Sequence, residues 1–400
     1  MSRPRFEVIV VGAGPAGSHA SRRLAELGFR VLLLDRSPGP RQAVICSGIV
    51  GQEAFDRFDL PASATVDQVR KARFYSPSGG FWDYRTKSPF AQVVDRSRFD
   101  SALVERAVGA GVTVRRGVTV REVNRTPEGI SVGCRGPGSE CFAGRALIVA
   151  TGHQPWLHRA AGLGSPPGYV QGVHLDVPFR GLESAELYFG RGVAPGFFAW
   201  AVPFGRETAR LGVLAKQGGR RVFRRFLELD GIRERLLGPR GAPDLDYLAA
   251  SSQSRGIVQG VVSPSFSERI LAVGEAAGQV KTTTAGGIYY GMVGAEAAVR
   301  VLHRGLKADR LDSESLSTYE ADWRAEIGRE IEAGFDLQTA AEHLDDSGID
   351  DVFGVLRGEV GPLLRSAIRF DWHRAALGVL LRRPGVHGLA GARPGVGLSL

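Results

Sequence analysis

The sequence predicts an α/β protein: a Rossmann-type parallel sheet, an inserted antiparallel β-sheet and a helical C-terminal region. Three observations carry that expectation. An apolar strand runs into a glycine-rich turn near the N-terminus, alternating strands fill the middle, and a second strand-plus-glycine pattern returns near residue 272 before a long helix.

Each element follows from the order of residue types. FEVIVVGAGPAGSHASRRLAELGFRVLLLDR opens with an apolar strand, Phe6 to Val11, leading into Gly12-x-Gly14-x-x-Gly17. A helix follows, and a second apolar strand ends at Asp35. Gly12 permits the tight turn, Gly14 lets the backbone approach a pyrophosphate, and Gly17 lets the helix pack close to the strand. The helix start offers unpaired N–H groups and a positive dipole end to phosphates. Asp35 lies 18 residues beyond Gly17, near the ~20-residue spacing of an acid that binds ribose hydroxyls. The glycine motif alone is weak in a chain with 54 glycines. With strand, helix and acid in this order, it predicts nucleotide binding.

AVICSGIVGQEAF then reads as a glycine-rich loop entering a short helix. VVDRSRFDSALVERAVGAG reads as a strand end, a turn and a helix whose apolar stripe is Leu103, Val104, Ala107 and Val108. Short β segments follow, with a PGSE turn joining two of them, and ALIVATG returns as a buried strand ending at Ala150-Thr151-Gly152. From about Tyr169 to Leu214 the strands alternate, as in an antiparallel sheet. Residues 220–237 read as a basic amphipathic helix, and the chain beyond 306 is mostly helical until a Gly/Pro-rich segment from Arg383. The expected organisation is discontinuous. A nucleotide-binding domain spans 1–165, with a short insertion at about 70–95; a β-rich substrate domain spans 166–254. A return segment covers 255–305 and a helical region 306–400.

Bulk properties bound the function. The 400 residues carry a formal charge of +9, which suits an anionic partner such as a nucleotide or a lipid headgroup. The basic residues are dispersed and no nucleic-acid motif accompanies them, so no nucleic-acid partner is expected. Cys46, Cys134 and Cys141 cannot build a disulfide framework, which fits a reducing compartment. The first strand begins within six residues, too early for a signal peptide. No apolar run reaches the ~18 residues of a membrane span. The expectation is a cytoplasmic protein, at most peripheral at the inner face of the membrane. The eight histidines show no ligand spacing, so no metal site is expected. Composition says nothing of the oligomeric state.

AVGEAAGQVKTTTAGGIYYGM is the second informative run. Its strand delivers Gly274, which permits close backbone approach, and Glu275, which can accept hydrogen bonds from sugar-alcohol hydroxyls. Ala285-Gly286-Gly287 then opens a helix at Ile288, whose N–H groups favour negative charge on a bound ring. In Phe198-x-Trp200-x-x-Pro203, Phe198 and Trp200 share one strand face; Ala199, Ala201 and Pro203 share the other. Two adjacent rings suit an isoprenoid tunnel, and an ordinary core as well.

GAGPAGS, the CSG loop, VVDRSRFD, PGFFAWAVP and GEAAGQVKTTTAGGIYYG occur in the order seen in geranylgeranyl reductases, and residues 5–305 resemble that family. These are FAD-dependent enzymes that saturate double bonds in prenyl chains, within the p-hydroxybenzoate-hydroxylase-like flavoproteins. The resemblance implies that Gly12, Gly14, Pro15, Ala16 and Gly17 hold the FAD pyrophosphate. It gives Asp35 and Arg36 the adenosine ribose and Arg96 a place near the phosphates. Val120, Thr151 and Gly152 are further cofactor contacts, Gly274 and Glu275 bind the ribityl-phosphate part, and Gly286, Gly287 and Ile288 lie under the flavin pyrimidine. Glutamate replaces the family's aspartate at 275, Ala285 one of its glycines and Thr282 its proline. FxWxVP stands for the family's YxWxFP substrate motif, which makes Phe198, Trp200 and Pro203 substrate contacts. Cys46 matches a cysteine near the flavin.

The implied reaction delivers hydride from reduced FAD to one alkene carbon and a proton to the other. Cys46, or a nearby hydroxyl or water, is the candidate donor. Because a prenyl lipid or quinone substrate resides in a bilayer, PLLRSAIRFDWHRAALGVLLRRP over 362–384 is either an interfacial helix or packing on the FAD domain. NAD(P)H and ferredoxin remain open as electron donors. Two rival readings share the fold: a flavin hydroxylase or halogenase on an aromatic substrate, and a non-enzymatic prenyl-lipid carrier like the GDP-dissociation inhibitors.

Overall fold

The computed structural model describes residues 6–39, 46–126, 128–136, 141–152, 154–238, 243–358 and 360–381. The PGSE turn and the segment from Arg383 lie outside the described residues.

Strand β1 (Val8–Val11), helix α1 (Pro15–Glu26) and strand β2 (Val31–Asp35) form the N-terminal βαβ unit. β1 sits at the centre of a six-stranded sheet, parallel to β2 on one side and to Ala146–Val149 on the other. Ile270–Ala272 extends it in parallel beyond Ala146–Val149, and Thr113–Arg116 beyond β2. The four central strands are buried on both faces, so they read as continuous apolar runs. Val8, Val10 and Leu33 face α1 and the long Ile288–Ala308 helix. Ile9, Val11, Leu32 and Leu34 face a three-stranded antiparallel sheet (Thr119–Thr126, Gly129–Arg135, Cys141–Gly144). The expected α/β architecture is borne out.

A seven-stranded sheet forms the second body. Its order is Gln253–Gln259, Gly168–Pro178, Thr208–Ala215, Ala199–Pro203, Ala185–Tyr188, Lys71–Tyr75, Phe81–Arg85. All neighbours are antiparallel except Ala185–Tyr188 with Lys71–Tyr75. Two expected boundaries therefore move. The hairpin of Lys71–Tyr75 and Phe81–Arg85, read as a separate short insertion, completes the large sheet. That sheet also runs past residue 254, because Gln253–Gln259 pairs along Gly168–Pro178.

Alternation gives this sheet two apolar faces. Ala199, Ala201, Leu211 and Val213 pack on Phe223, Phe226 and Leu227 of the Gly219–Glu228 helix. Trp200, Val202 and Leu214 face the other way, with Val69, Ala72 and Ile257. The helix expected over 220–237 is shorter than its pattern, since Leu229 turns to an extended conformation before a second turn at Asp230–Arg233. Among the described residues, no helix is long and apolar enough to cross a membrane.

Candidate active site

A cavity of about 530 Å³ lies between the carboxyl edge of the parallel sheet and the inner face of the large sheet. Its first wall is the glycine turn. Gly12 adopts φ +108, and a Cβ there would collide with the Ala150 carbonyl. A Cβ on Gly17 would strike the Gly12 carbonyl, so α1 can approach β1 only through glycine. Gly14 has open space where a Cβ would stand and lines the cavity with Pro15 and Ala16. α1 starts with Gly14 as N-cap, no side chain capping it and no acid in its first turn. Its N–H groups and dipole are therefore available to an anion.

Asp35 is buried and braces this turn: Ala13 N–H donates to Oδ2 at 2.7 Å and Ser37 N–H to Oδ1 at 2.8 Å. Arg36 is exposed, and neither residue lines the cavity. Val120 is packed in the core among Ile9, Val11 and Leu34, so its side chain also stands away from the cavity.

The second wall comes from residues 273–288. Gly274 (φ +67) lies where α1 and the Ile288–Ala308 helix cross, with its would-be Cβ 3.1 Å from Ala16 Cβ. Gln279, fully buried, holds this strand end: Gly274 N–H donates to its Oε1 at 2.7 Å, and its Nε2 donates to Tyr319 Oη at 2.8 Å. Glu275 lines the cavity but pairs with Arg255. Lys281 N–H donates to Gly286 O at 2.9 Å and Ala285 N–H to Lys281 O at 2.8 Å, closing a tight loop. Ala285 occupies φ +56, a conformation that favours glycine. Thr282, standing where a proline was expected, donates its hydroxyl to Ile331 O at 2.7 Å and is buried. Gly287 caps the Ile288–Ala308 helix with no side-chain cap, so a second open helix start faces the cavity.

Cys46 also lines the cavity, beside Arg96. Burial pushes its thiol pKa up. The Arg96 guanidinium, the Gly48 N–H bond to Sγ at 3.4 Å and the more distant Arg210 together outweigh it, leaving the pKa lowered. Arg96 is fixed by Asp100 at 3.0 Å, both side chains largely buried. Arg210 bridges Asp176 (2.7 Å) and the Cys46 carbonyl (3.3 Å), so two ion pairs, Arg96–Asp100 and Arg210–Asp176, set this loop.

The third wall is apolar. Phe198 and Trp200 stand 6.1 Å apart between ring centroids, with Phe74, Phe90, Leu187 and Val202 around them. Pro203 is not among the lining residues. The period of two that turns Trp200 and Val202 inward turns Pro203 to the opposite face.

Sequence reasoning offered packing of the 362–384 stretch on the FAD domain as one alternative, but not that this stretch forms the fourth wall of the site. Ile368, Phe370, Asp371, His373 and Leu377 close the cavity from the C-terminal region, so part of the basic 362–384 stretch packs on the site. Lys281 Nζ meets Asp371 Oδ1 at 2.7 Å, with side chains 5% and 3% exposed. His373 Nε2–H donates to Phe370 O at 3.0 Å, which leaves Nδ1 to accept from Thr283 Oγ1 at 2.7 Å. The visible signal was an aspartate between aromatics, RFDWHR, in an otherwise basic run. Its partners lie some 90 residues away.

The FAD-binding domain family model matches residues 5–333. Digeranylgeranylglycerophospholipid reductase 2 of Methanothermobacter thermautotrophicus is 30% identical over 391 residues, covering 89% of this chain and 92% of that protein. The chain belongs to the geranylgeranyl reductase family of FAD-dependent oxidoreductases. Digeranylgeranylglycerophospholipid reductase of Methanocaldococcus jannaschii is 27% identical over 357 residues, 86% of this chain and 89% of its own. In fold, the chain is similar to a geranylgeranyl bacteriochlorophyll reductase-like protein from Thermoplasma acidophilum (TM-score 0.84, 20% identity, 96% and 98% of the two chains). p-Nitrophenol 4-monooxygenase from Pseudomonas putida shares that fold at TM-score 0.68 and 18% identity, over 98% and 100% of the chains. FAD fits this site on its own evidence: two uncapped helix starts open on one cavity beside a glycine with room at its Cβ position.

Proposed function

We propose that this enzyme saturates isolated C=C bonds in a prenyl-chain lipid or quinone side chain. The observation that carries the reading is continuity: the polar end with two helix starts opens directly into a slot walled by Phe198, Trp200, Phe74 and Phe90. The named activity of the archaeal relatives supports a lipid substrate.

Each wall has a role in this reading. Gly12, Gly14 and Gly17 shape the pyrophosphate turn, with Pro15 and Ala16 beside it and Asp35 holding it rigid. Thr151, Gly152, Gly274 and Glu275 would hold the ribityl chain, and Arg96, expected near the phosphates, stands beside Cys46. The N–H groups at Gly286, Gly287 and Ile288 stabilise negative charge on the pyrimidine edge. The chemistry FAD would supply here is hydride donation from its reduced form, with NAD(P)H or ferredoxin as the source of electrons. Cys46 gives the proton, and Arg96 stabilises the thiolate left behind. The apolar walls exclude water, which a poorly electrophilic alkene requires. A bilayer-resident substrate implies peripheral contact with a membrane.

The test is anaerobic incubation of FAD-loaded, reduced enzyme with geranylgeranyl lipids, followed by mass spectrometry. A gain of H2 per reduced bond is expected. Substrate-coupled oxygen consumption without saturation would favour the hydroxylase or halogenase reading, and colourless protein taking up no FAD would favour the carrier.

A further inference from the structure

The segment Arg369–Arg374 is fastened to the FAD-binding body by side chains of opposite character. Arg369 and Trp372 donate to Glu53 at 2.9 and 3.0 Å. The backbone N–H groups of His373 and Arg374 donate to Glu330 at 2.8 and 2.9 Å. Tyr290 donates its hydroxyl to the Asp371 carbonyl at 2.8 Å. Asp371 alone in this run is anionic, and Lys281 meets it.

Lys281 makes three contacts there. Nζ donates to Asp371 Oδ1 at 2.7 Å and to Phe370 O at 3.1 Å, and lies 4.2 Å from the Phe370 ring centroid. Its backbone is the foot of the 281–286 loop, and its chain passes under Gly286, where a Cβ would stand 2.9 Å from Cε. One residue thus ties the glycine loop to the ring that borders the apolar slot. Asp371 Oδ2 is buried against Gly51 with no hydrogen-bond partner among the described residues. Lys281 is therefore the principal compensation for that carboxylate.

We propose that Lys281 and Asp371 are positioning residues that hold Phe370 as the fixed wall between the flavin loop and the substrate slot. The idea rests on the proposed reading of the cavity, yet the pair itself can be tested without cofactor. In the full chain without FAD, Asp371→Asn and Lys281→Met each raise amide exchange roughly tenfold or more in both 281–286 and 369–374. The Gly219–Glu228 helix, on the far face of the large sheet, stays unchanged. Lys281→Met with Asp371→Leu leaves no buried charge and refills the volume, so both segments regain near-wild-type protection.

In FAD-loaded protein, the single variants and Phe370→Ala increase iodide quenching of flavin fluorescence. They also raise KM for the prenyl chain more than they lower kcat. Unchanged exchange in either segment of the single variants overturns the proposal. So does a double variant no better protected than the singles. If the singles fail to fold, the double variant is compared with wild type alone, and exchange or quenching unlike wild type overturns it. Absence of flavin binding with exchange as expected sinks the cofactor reading and leaves the pairing intact.

Discussion

Cys46 sits under opposing forces. Burial disfavours its thiolate, while Arg96, the Gly48 N–H and Arg210 favour it and prevail. Arg96 is the largest favourable influence and is itself locked by Asp100. The alkylation rate of Cys46 with iodoacetamide is expected to rise with a midpoint below that of an unperturbed thiol. Arg96→Met combined with Asp100→Asn, which avoids stranding a buried carboxylate, should move that midpoint upward because the largest favourable influence is gone while burial remains. An unmoved midpoint would clear Arg96 of the effect. As proton donor, Cys46 should matter by roughly 10²–10⁴ in rate. Saturation by Cys46→Ala at the wild-type rate would therefore assign the proton to another group.

The strand Ala199–Pro203 shows how one element divides two jobs. Trp200 faces the cavity, while Ala199 and Ala201 face Phe226 and its neighbours in the Gly219–Glu228 helix. Trp200→Ala should widen the slot and raise KM for a prenyl substrate. Phe226→Ala should cost about 3–5 kcal/mol of stability with KM unchanged in the folded protein, since a fully buried ring leaves a void. Denaturant titration and steady-state kinetics on both variants check this, and a KM effect confined to Phe226→Ala would put the slot on the wrong face. The alternation was legible in the sequence, and it also placed Pro203 opposite Trp200. Naming Pro203 a substrate contact let a motif override the period. Val120 and Arg36 have the same origin: resemblance supplied them, while the fold turns one into the core and the other to solvent. The βαβ unit was legible because its glycines, strand periodicity and acid act within 30 residues. Lys281–Asp371 and Gln279–Tyr319 were not, because each joins residues at least 40 apart with no local pattern linking them.

At the scale of the whole molecule, the site exists because two sheets and a C-terminal segment enclose one cavity, and acid tests how firmly the C-terminal wall is held. His373 is buried between Thr283 and Phe370. Burial first, and the nearby Lys281 charge second, lower its pKa to about 3. His174, beneath the Cys46 loop, is also lowered, by burial and then by Arg210. In the unfolded chain both histidines titrate near 6.5. Below that value the unfolded state binds protons that the folded state refuses, so stability falls as pH drops. For His373 the loss continues until pH reaches about 3. For His373 the slope approaches about 1.4 kcal/mol per pH unit once the unfolded chain is protonated. Between pH 6.5 and about 5.5 the lowered carboxylates, Glu296 among them, are ionised in both the folded and the unfolded state and add little. Urea unfolding across that window should show stability declining with acid. His373→Gln, which cannot take up the proton, should flatten the decline, and an identical slope in that variant would show that the C-terminal wall does not carry this cost.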